Sequence, residues 1–294
     1  MRAIVTQGLT KNYGRHRGIS NVDLEVQEGE RFGFIGPNGA GKSTTIKLLL
    51  GFLFPTSGSC RIFAKDCVKS SEIIKRVTSY VPSEVRFYRN LTGYQMIKMA
   101  LRFHHMRWDA VADQLMEQFE IDPDKKMGEL SLGNKKKVAI VAALVTCPAL
   151  LILDEPTSGL DPLMQKTLFE VLKKRNETGL TVFMSSHNLA EVEHFCQKAA
   201  FIKEGRLIEV TELGRARENG KIFSVVAPEF DLTALGEFDG ELLSQDNDTI
   251  RFLSHGDINA VLKTLSRYNI QDLSVRDFDL EDKFLSYYEG GDKS

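Results

Sequence analysis

The chain has 294 residues, enough for one large α/β domain with a smaller one appended. Its 38 Lys and Arg stand against 40 Asp and Glu for a net charge of −2, with no like-charge block longer than Lys135-Lys136-Lys137, which excludes a nucleic-acid-binding surface. The cysteines Cys60, Cys67, Cys147 and Cys196 lack metal-ligand spacing and suit a reducing cytosol, and the apolar surroundings of Cys147 and Cys196 predict burial.

The opening MRAIVTQGLTKNYG lacks the basic-then-apolar order of a secretion signal, so export of the protein is not expected. It reads instead as a strand over residues 4–9, followed by strands at 22–26 and 31–35. A glycine loop comes next, and a helix begins near Lys42. A mixed region, 58–81, leads into an amphipathic, helix-rich stretch, 92–119, where Met96, Met99, Ala100 and Phe103 fall at helical spacing. Helix and strand then alternate: helix 133–146 with strand 149–153, helix 162–176 with strand 180–184, helix 188–194 with strand 198–202. Such alternation predicts a parallel sheet with helices on its faces. The longest apolar stretch, 138–153, contains Thr146 and Pro148 and falls short of the roughly 18 residues of a membrane helix, so a link to a membrane must come through partner proteins. After about Glu212 the character changes. Short strands at 222–226, 249–253 and 273–275, a helix over 257–268 and a closing helix over 280–288 suggest a small α+β unit, with an order compatible with a split βαβ arrangement.

Two constellations carry chemistry. The first, Gly36-Pro37-Asn38-Gly39-Ala40-Gly41-Lys42-Ser43-Thr44, fits G-x-x-x-x-G-K-[ST], in which glycines let consecutive amides wrap a phosphate. The following helix points its positive end at the same anion, Lys42 offers charge to β- and γ-phosphates, and the Ser43 hydroxyl can ligate Mg²⁺. The second is the apolar run ALLILDEP, which ends in Asp154 and Glu155 at the carboxyl end of a strand, where open α/β sheets bind ligands. Asp154 is placed to hold Mg²⁺ and Glu155 to orient or deprotonate an attacking water.

With both in place the chain resembles the nucleotide-binding subunits of ATP-binding cassette proteins. Between the constellations that family carries LSGGQ. Here the stretch is LSLGNKKK, so Leu130, Ser131 and Gly133 match while Leu132 and Asn134 depart. Ser131 can cap a helix whose unpaired amides and dipole face outward. The resemblance implies that a second copy's γ-phosphate sits there. It also gives Tyr13 to adenine stacking, Asp161 to contact with the opposite protomer, and His187 to the γ-phosphate and Glu155. The family's usual loop glutamine is missing. Ser83 occupies its place in Tyr80-Val81-Pro82-Ser83-Glu84, and either the Ser83 hydroxyl or Glu84 is left to serve the metal and the membrane subunit.

The resemblance therefore implies a P-loop cassette, α/β, with a mixed core sheet, flanking helices and a helical subdomain over about 84–135, followed by a small α+β domain. Residues 1–212 form the cassette and 213–294 the accessory unit. The implied function is ATP hydrolysis with ATP and Mg²⁺ in a nucleotide-sandwich dimer, driving separate polytopic permease subunits from the cytoplasmic membrane face. Phe87, Tyr88, Tyr94 and Trp108 would supply the docking surface. The closing segment FDLEDKFLSYYEG resembles the tail of antibiotic, multidrug and peptide exporters. The competing expectation is a soluble cassette ATPase of translation or DNA repair, disfavoured because neither a second cassette nor a coiled-coil or zinc insertion is present.

Overall fold

Continuous apolar runs make the central strands. Arg31–Ile35 (β3), Leu150–Asp154 (β7), Thr181–Ser186 (β8) and Lys198–Lys203 (β9) are buried on both faces, as strands of a covered parallel sheet are. The computed structural model describes residues 1–14, 16–213, 220–278, 280 and 282, the side chains of His16 and Arg17 excepted. The chain divides into two compact units, Met1–Thr211 and Glu212–Ser294.

In the first unit Arg2–Tyr13 (β1), His16–Gln27 (β2), Ser57–Ile62 (β4) and Lys65–Asp66 (β5) form an antiparallel sheet in the order β2-β1-β4-β5. Thr78–Val81 (β6) and Arg206–Glu212 (β10) close the second sheet, ordered β10-β9-β3-β8-β7-β6, in which β9, β3, β8, β7 and β6 pair parallel. Strand β10 follows β9 through Glu204-Gly205, both with positive φ, the conformation of a two-residue hairpin turn. One apolar core joins the two sheets. Ile4, Leu9, Val22, Leu24 and Val26 of the antiparallel sheet share it with Phe32, Phe34, Ile152 and Phe183 of the parallel one, and Ile46 and Leu49 enter from the helix Lys42–Leu49 (α1). Each fully buried Phe contributes about 1.5–3 kcal/mol by leaving water, so this core anchors the ends of β3, β7 and β8 firmly.

A short helix, Ser71–Val77 (α2), precedes β6. The helical stretch follows as Gly93–Phe103 (α3) and Ala110–Gln118 (α4), a 3₁₀ turn at Met127–Glu129, then Leu132–Leu144 (α5). A capping box formed by Thr92 and Gln95 starts α3. The helix expected from the spacing of Met96, Met99, Ala100 and Phe103 is present; its buried row is Gly93, Met96, Ile97 and Leu101, while Phe103 is 76% exposed. Gly93 packs closely on that buried side, where an added Cβ would stand 3.1 Å from Ile121 and 3.2 Å from Val138 of α5. Pro162–Glu177 (α6) and Leu189–Phe195 (α7) complete the unit. Cys196 is buried as expected, but Cys147 is exposed, because it turns the chain just after α5 with φ 47° and presents its sulfur toward Arg175.

In the second unit Lys221–Val226 (β11), Gly240–Asp246 (β12), Thr249–Ser254 (β13) and Asp272–Asp277 (β14) form an antiparallel sheet ordered β12-β13-β11-β14. A 3₁₀ helix, Leu232–Phe238, links β11 to β12, and Ile258–Leu265 (α8) links β13 to β14. With β13 lying between β11 and β12, this is the split βαβ arrangement. Phe223, Val225, Phe252, Val261 and Leu265 fill its core. Strand β12 was not expected; nearly all of it is exposed, and it forms because Asn247, with φ 48°, turns it back onto β13. Most of the expected closing helix, 280–288, lies outside the described residues.

Candidate functional site

Strand β3 ends at Ile35, and the chain loops through 36–41 before α1 begins. A side chain on Gly36 would lie 2.4 Å from the Ile202 carbonyl, while Gly41, at φ 112°, takes a conformation that L-residues avoid. Gly41 caps α1 with no side-chain acceptor. The first amides and the positive end of the dipole are thus left for an anion. Within the loop Pro37 is half-buried, Ala40 buried, and Asn38 and Gly39 exposed; Thr44 is half-buried in the first turn of α1.

Lys42 is only 5% exposed. Its Nζ donates to the carbonyls of Gly36 (2.6 Å) and Pro37 (3.1 Å) and stands 3.5 Å from Glu155 Oε1. The next residue, Ser43, donates from Oγ to Asp154 Oδ2 at 2.9 Å, and Ser185 Oγ donates to Asp154 Oδ1 at 2.5 Å. Asp154 is buried, so two hydroxyl donors satisfy a carboxylate that water cannot reach. The parallel register fixes this, because Asp154 of β7 lies opposite Ser185 of β8.

Glu155 leaves β7 in the left-handed region, φ 50°, with its amide donating to the Ser185 carbonyl at 3.1 Å. That turn aims its carboxylate between two side chains: Oε1 faces the Lys42 ammonium, and Oε2 stands 3.2 Å from Nδ1 of the exposed His187, just past β8. Beneath it lies Lys136, whose Nζ donates to the carbonyls of Pro82, Ser83 and Glu155. Burial pulls the Lys136 pKa below the ordinary lysine value, against the opposing charges of Asp154 and Glu155. Tyr80 is pushed up to about 12 by burial, with the Asp154 charge adding to the shift.

The structure thus gathers Lys42, Ser43, Asp154, Glu155 and His187 at the carboxyl ends of β3, β7 and β8. Other predicted residues stand apart from that network among the described residues. Ser131 caps α5, its Oγ accepting from the Asn134 amide at 3.2 Å. Gly133 presses on the 157–161 loop so closely that a Cβ would sit 2.3 Å from the Gly159 carbonyl. Asp161 caps α6, accepting from Met164 with Pro162 at the first helical position. The Tyr13 ring, 40% exposed, lies against Gly18, whose neighbour Ile19 packs on Gly41. Ser83 is exposed and contributes its carbonyl to Lys136, whereas the Glu84 carboxylate pairs with Arg86 at 3.1 Å.

Two members of the cluster escaped the sequence reading. Ser185 was hidden as an ordinary strand residue, although its place beside the motif histidine in FMSSH was a clue. Lys136 was submerged in a charge run that reads as solvated; the signal was that the helix continues apolar on every face over residues 138–144.

A family model described as "ABC transporter" matches residues 19–158. The bacitracin transport ATP-binding protein BcrA of Bacillus licheniformis is 39% identical over 214 residues, spanning 70% of this chain and 68% of that protein. The lantibiotic transport ATP-binding protein SrtF of Streptococcus pyogenes is 34% identical over 219 residues, spanning 74% of this chain and 94% of that one. An ATP-binding cassette solved as a dimer in a post-hydrolysis state with ADP and Pi aligns at TM-score 0.66 and 25% identity, over 71% of this chain and 98% of that chain. The soluble translation or repair alternative is not favoured, because both quoted relatives are named as ATP-binding proteins of transport systems. The chain therefore belongs to the ATP-binding subunits of ABC transporters and is the ATP-hydrolysing motor of such a carrier.

Proposed function

We propose that this motor serves an exporter of antibiotics or antimicrobial peptides, acting as a nucleotide-sandwich dimer beneath polytopic permease subunits at the cytoplasmic membrane face. Among the described residues no helix is long and apolar enough to cross a membrane, so separate permease subunits would supply the pathway. The relatives named for bacitracin and lantibiotic transport support the cargo class. The observation that carries the catalytic reading is the contact chain Ser43, Asp154, Ser185, Glu155, His187 and Lys42 around the mouth of the phosphate loop.

In this reading the 36–44 loop binds the phosphates of ATP and Tyr13 stacks on its base. Ser43 and Asp154, with oxygens 2.9 Å apart, are the hard donors Mg²⁺ requires, and Ser83 can add a hydroxyl. When bound, Mg²⁺ neutralises charge on the β- and γ-phosphates. Lys42 now neutralises Glu155; an incoming γ-phosphate would draw the ammonium away and free the carboxylate to take a proton from water, with His187 orienting it. Ser131 and Gly133 of a second copy complete the site, and Asp161 lies at that interface. Residues 1–212 act as the cassette and 213–294 as an accessory unit.

The permease would dock on the helical stretch, where Tyr80, Val85, Phe87, Phe103 and His104 help line a 310 Å³ cavity. Tyr88 stands 70% exposed, and Tyr94 packs on Trp108 at 4.5 Å. Affinity purification of the full chain from its native membrane tests the assignment. A polytopic protein should co-purify, and a purely soluble or ribosome-bound pool would overturn it.

A further inference from the structure

Lys136 lies in the second turn of α5 and is 3% exposed. An ammonium has three protons, and this one spends them on three main-chain oxygens: Pro82 at 2.9 Å, Ser83 at 2.8 Å and Glu155 at 3.2 Å. None of these acceptors is a carboxylate. A buried cation held by carbonyls alone stabilises a fold poorly compared with an apolar side chain of similar volume, so its value lies in what it joins. On one side is the strained turn of Glu155, whose amide is already fixed by the Ser185 carbonyl. Lys136 fixes the other end of the same residue. On the other side is the loop that leaves β6, whose side chains make no such link: Glu84 turns to Arg86, and Ser83 offers its carbonyl.

We propose that Lys136 is a positioning residue for hydrolysis, holding the main chains of the 82–83 loop and of Glu155 on one ammonium so that a displacement of the loop reaches the base. The loop borders the cavity lined by Pro82, Val85 and Phe87, so a partner seated there would move it. The proposal rests on the reading of Glu155 as general base given above. Because α5 also carries the Ser131 cap at its tip, a shift of that helix would act on the same ammonium.

The test uses the purified full chain with Lys136→Met, measured for ATP dissociation constant, steady-state kcat and thermal unfolding, alone and on a Glu155→Gln background. A displaced base predicts a kcat loss on the order of 10-fold or more with ATP affinity within about twofold of the parent. On the Glu155→Gln background the same substitution should cost less than about twofold, since the group it positions is already gone. A kcat within twofold of the parent overturns the proposal, as does an equal loss on both backgrounds, the mark of a general structural defect. If Lys136→Met fails to fold, Lys136→Gln, which keeps two donors, is judged by the same criteria. Undiminished turnover in Glu155→Gln alone would instead overturn the underlying reading, and it is read independently of Lys136.

Discussion

The cluster around Glu155 and the tip of α5, both proposed above as parts of the ATP site, use their polar groups in opposite ways. In the cluster the polar groups close on one another inside a single chain: Lys42 on Glu155, Ser43 and Ser185 on Asp154, His187 on Glu155. At the tip the Ser131 hydroxyl caps its own helix, and beside it Leu132 is 77% exposed. In the proposed mechanism the first region engages the nucleotide within one chain and the second meets a partner subunit. Under the function proposed above, a subunit so divided would bind ATP as a monomer and hydrolyse it as a dimer.

Breaking each region separately should give opposite signatures. Glu155→Gln keeps the shape of the side chain and removes its basicity, so turnover should fall by roughly 10²-fold or more while ATP binding persists. An ATP-held dimer should then accumulate in size-exclusion chromatography with Mg²⁺-ATP; undiminished turnover would remove Glu155 from the mechanism. Gly133→Ala puts a methyl where the Gly159 carbonyl stands 2.3 Å away, forcing the tip off its loop. Turnover should drop on the order of 10-fold from the misplaced tip. Here ATP affinity of the monomer should hold and no ATP-dependent dimer should form, even when Glu155→Gln is also present; a stable dimer would show that the tip is not half of the site. Tyr13→Ala should do least, weakening ATP binding several-fold, or about 1 kcal/mol of stacking, with turnover at saturating ATP unchanged. A nucleotide titration reads it, and an unchanged affinity would take Tyr13 out of the base pocket.

Legibility followed the same division. Strands β3, β7, β8 and β9 were readable to within a residue or two because a doubly covered parallel strand is a continuous apolar run, and their carboxyl ends locate ligands by topology. The phosphate loop and the Asp154-Glu155 pair were readable because backbone freedom, helix polarity and adjacent carboxylates leave few other arrangements. What depends on a neighbour was not readable. The buried row of α3 includes Gly93, packed near Val138 and Ile121 from distant parts of the chain, and Cys147 is exposed because the chain reverses there. Strand β12 borrows its conformation from β13. Ser185 and Lys136 acquire meaning only through register and burial, since a serine in a strand and a lysine in a basic run are ordinary residues until something specific stands opposite them.

The left-handed backbone of Glu155 carries a consequence for how such a motor can be improved. A residue with a Cβ in that conformation forgoes about 1–2 kcal/mol that a glycine would recover. With Glu155 as the general base proposed above, folding stability and catalytic rate are set against each other at this position, and a search for thermostable variants guided by stability alone would be drawn toward erasing that carboxylate. The turn that lifts the carboxylate toward the phosphate loop is also a weak point of the strand that bears it.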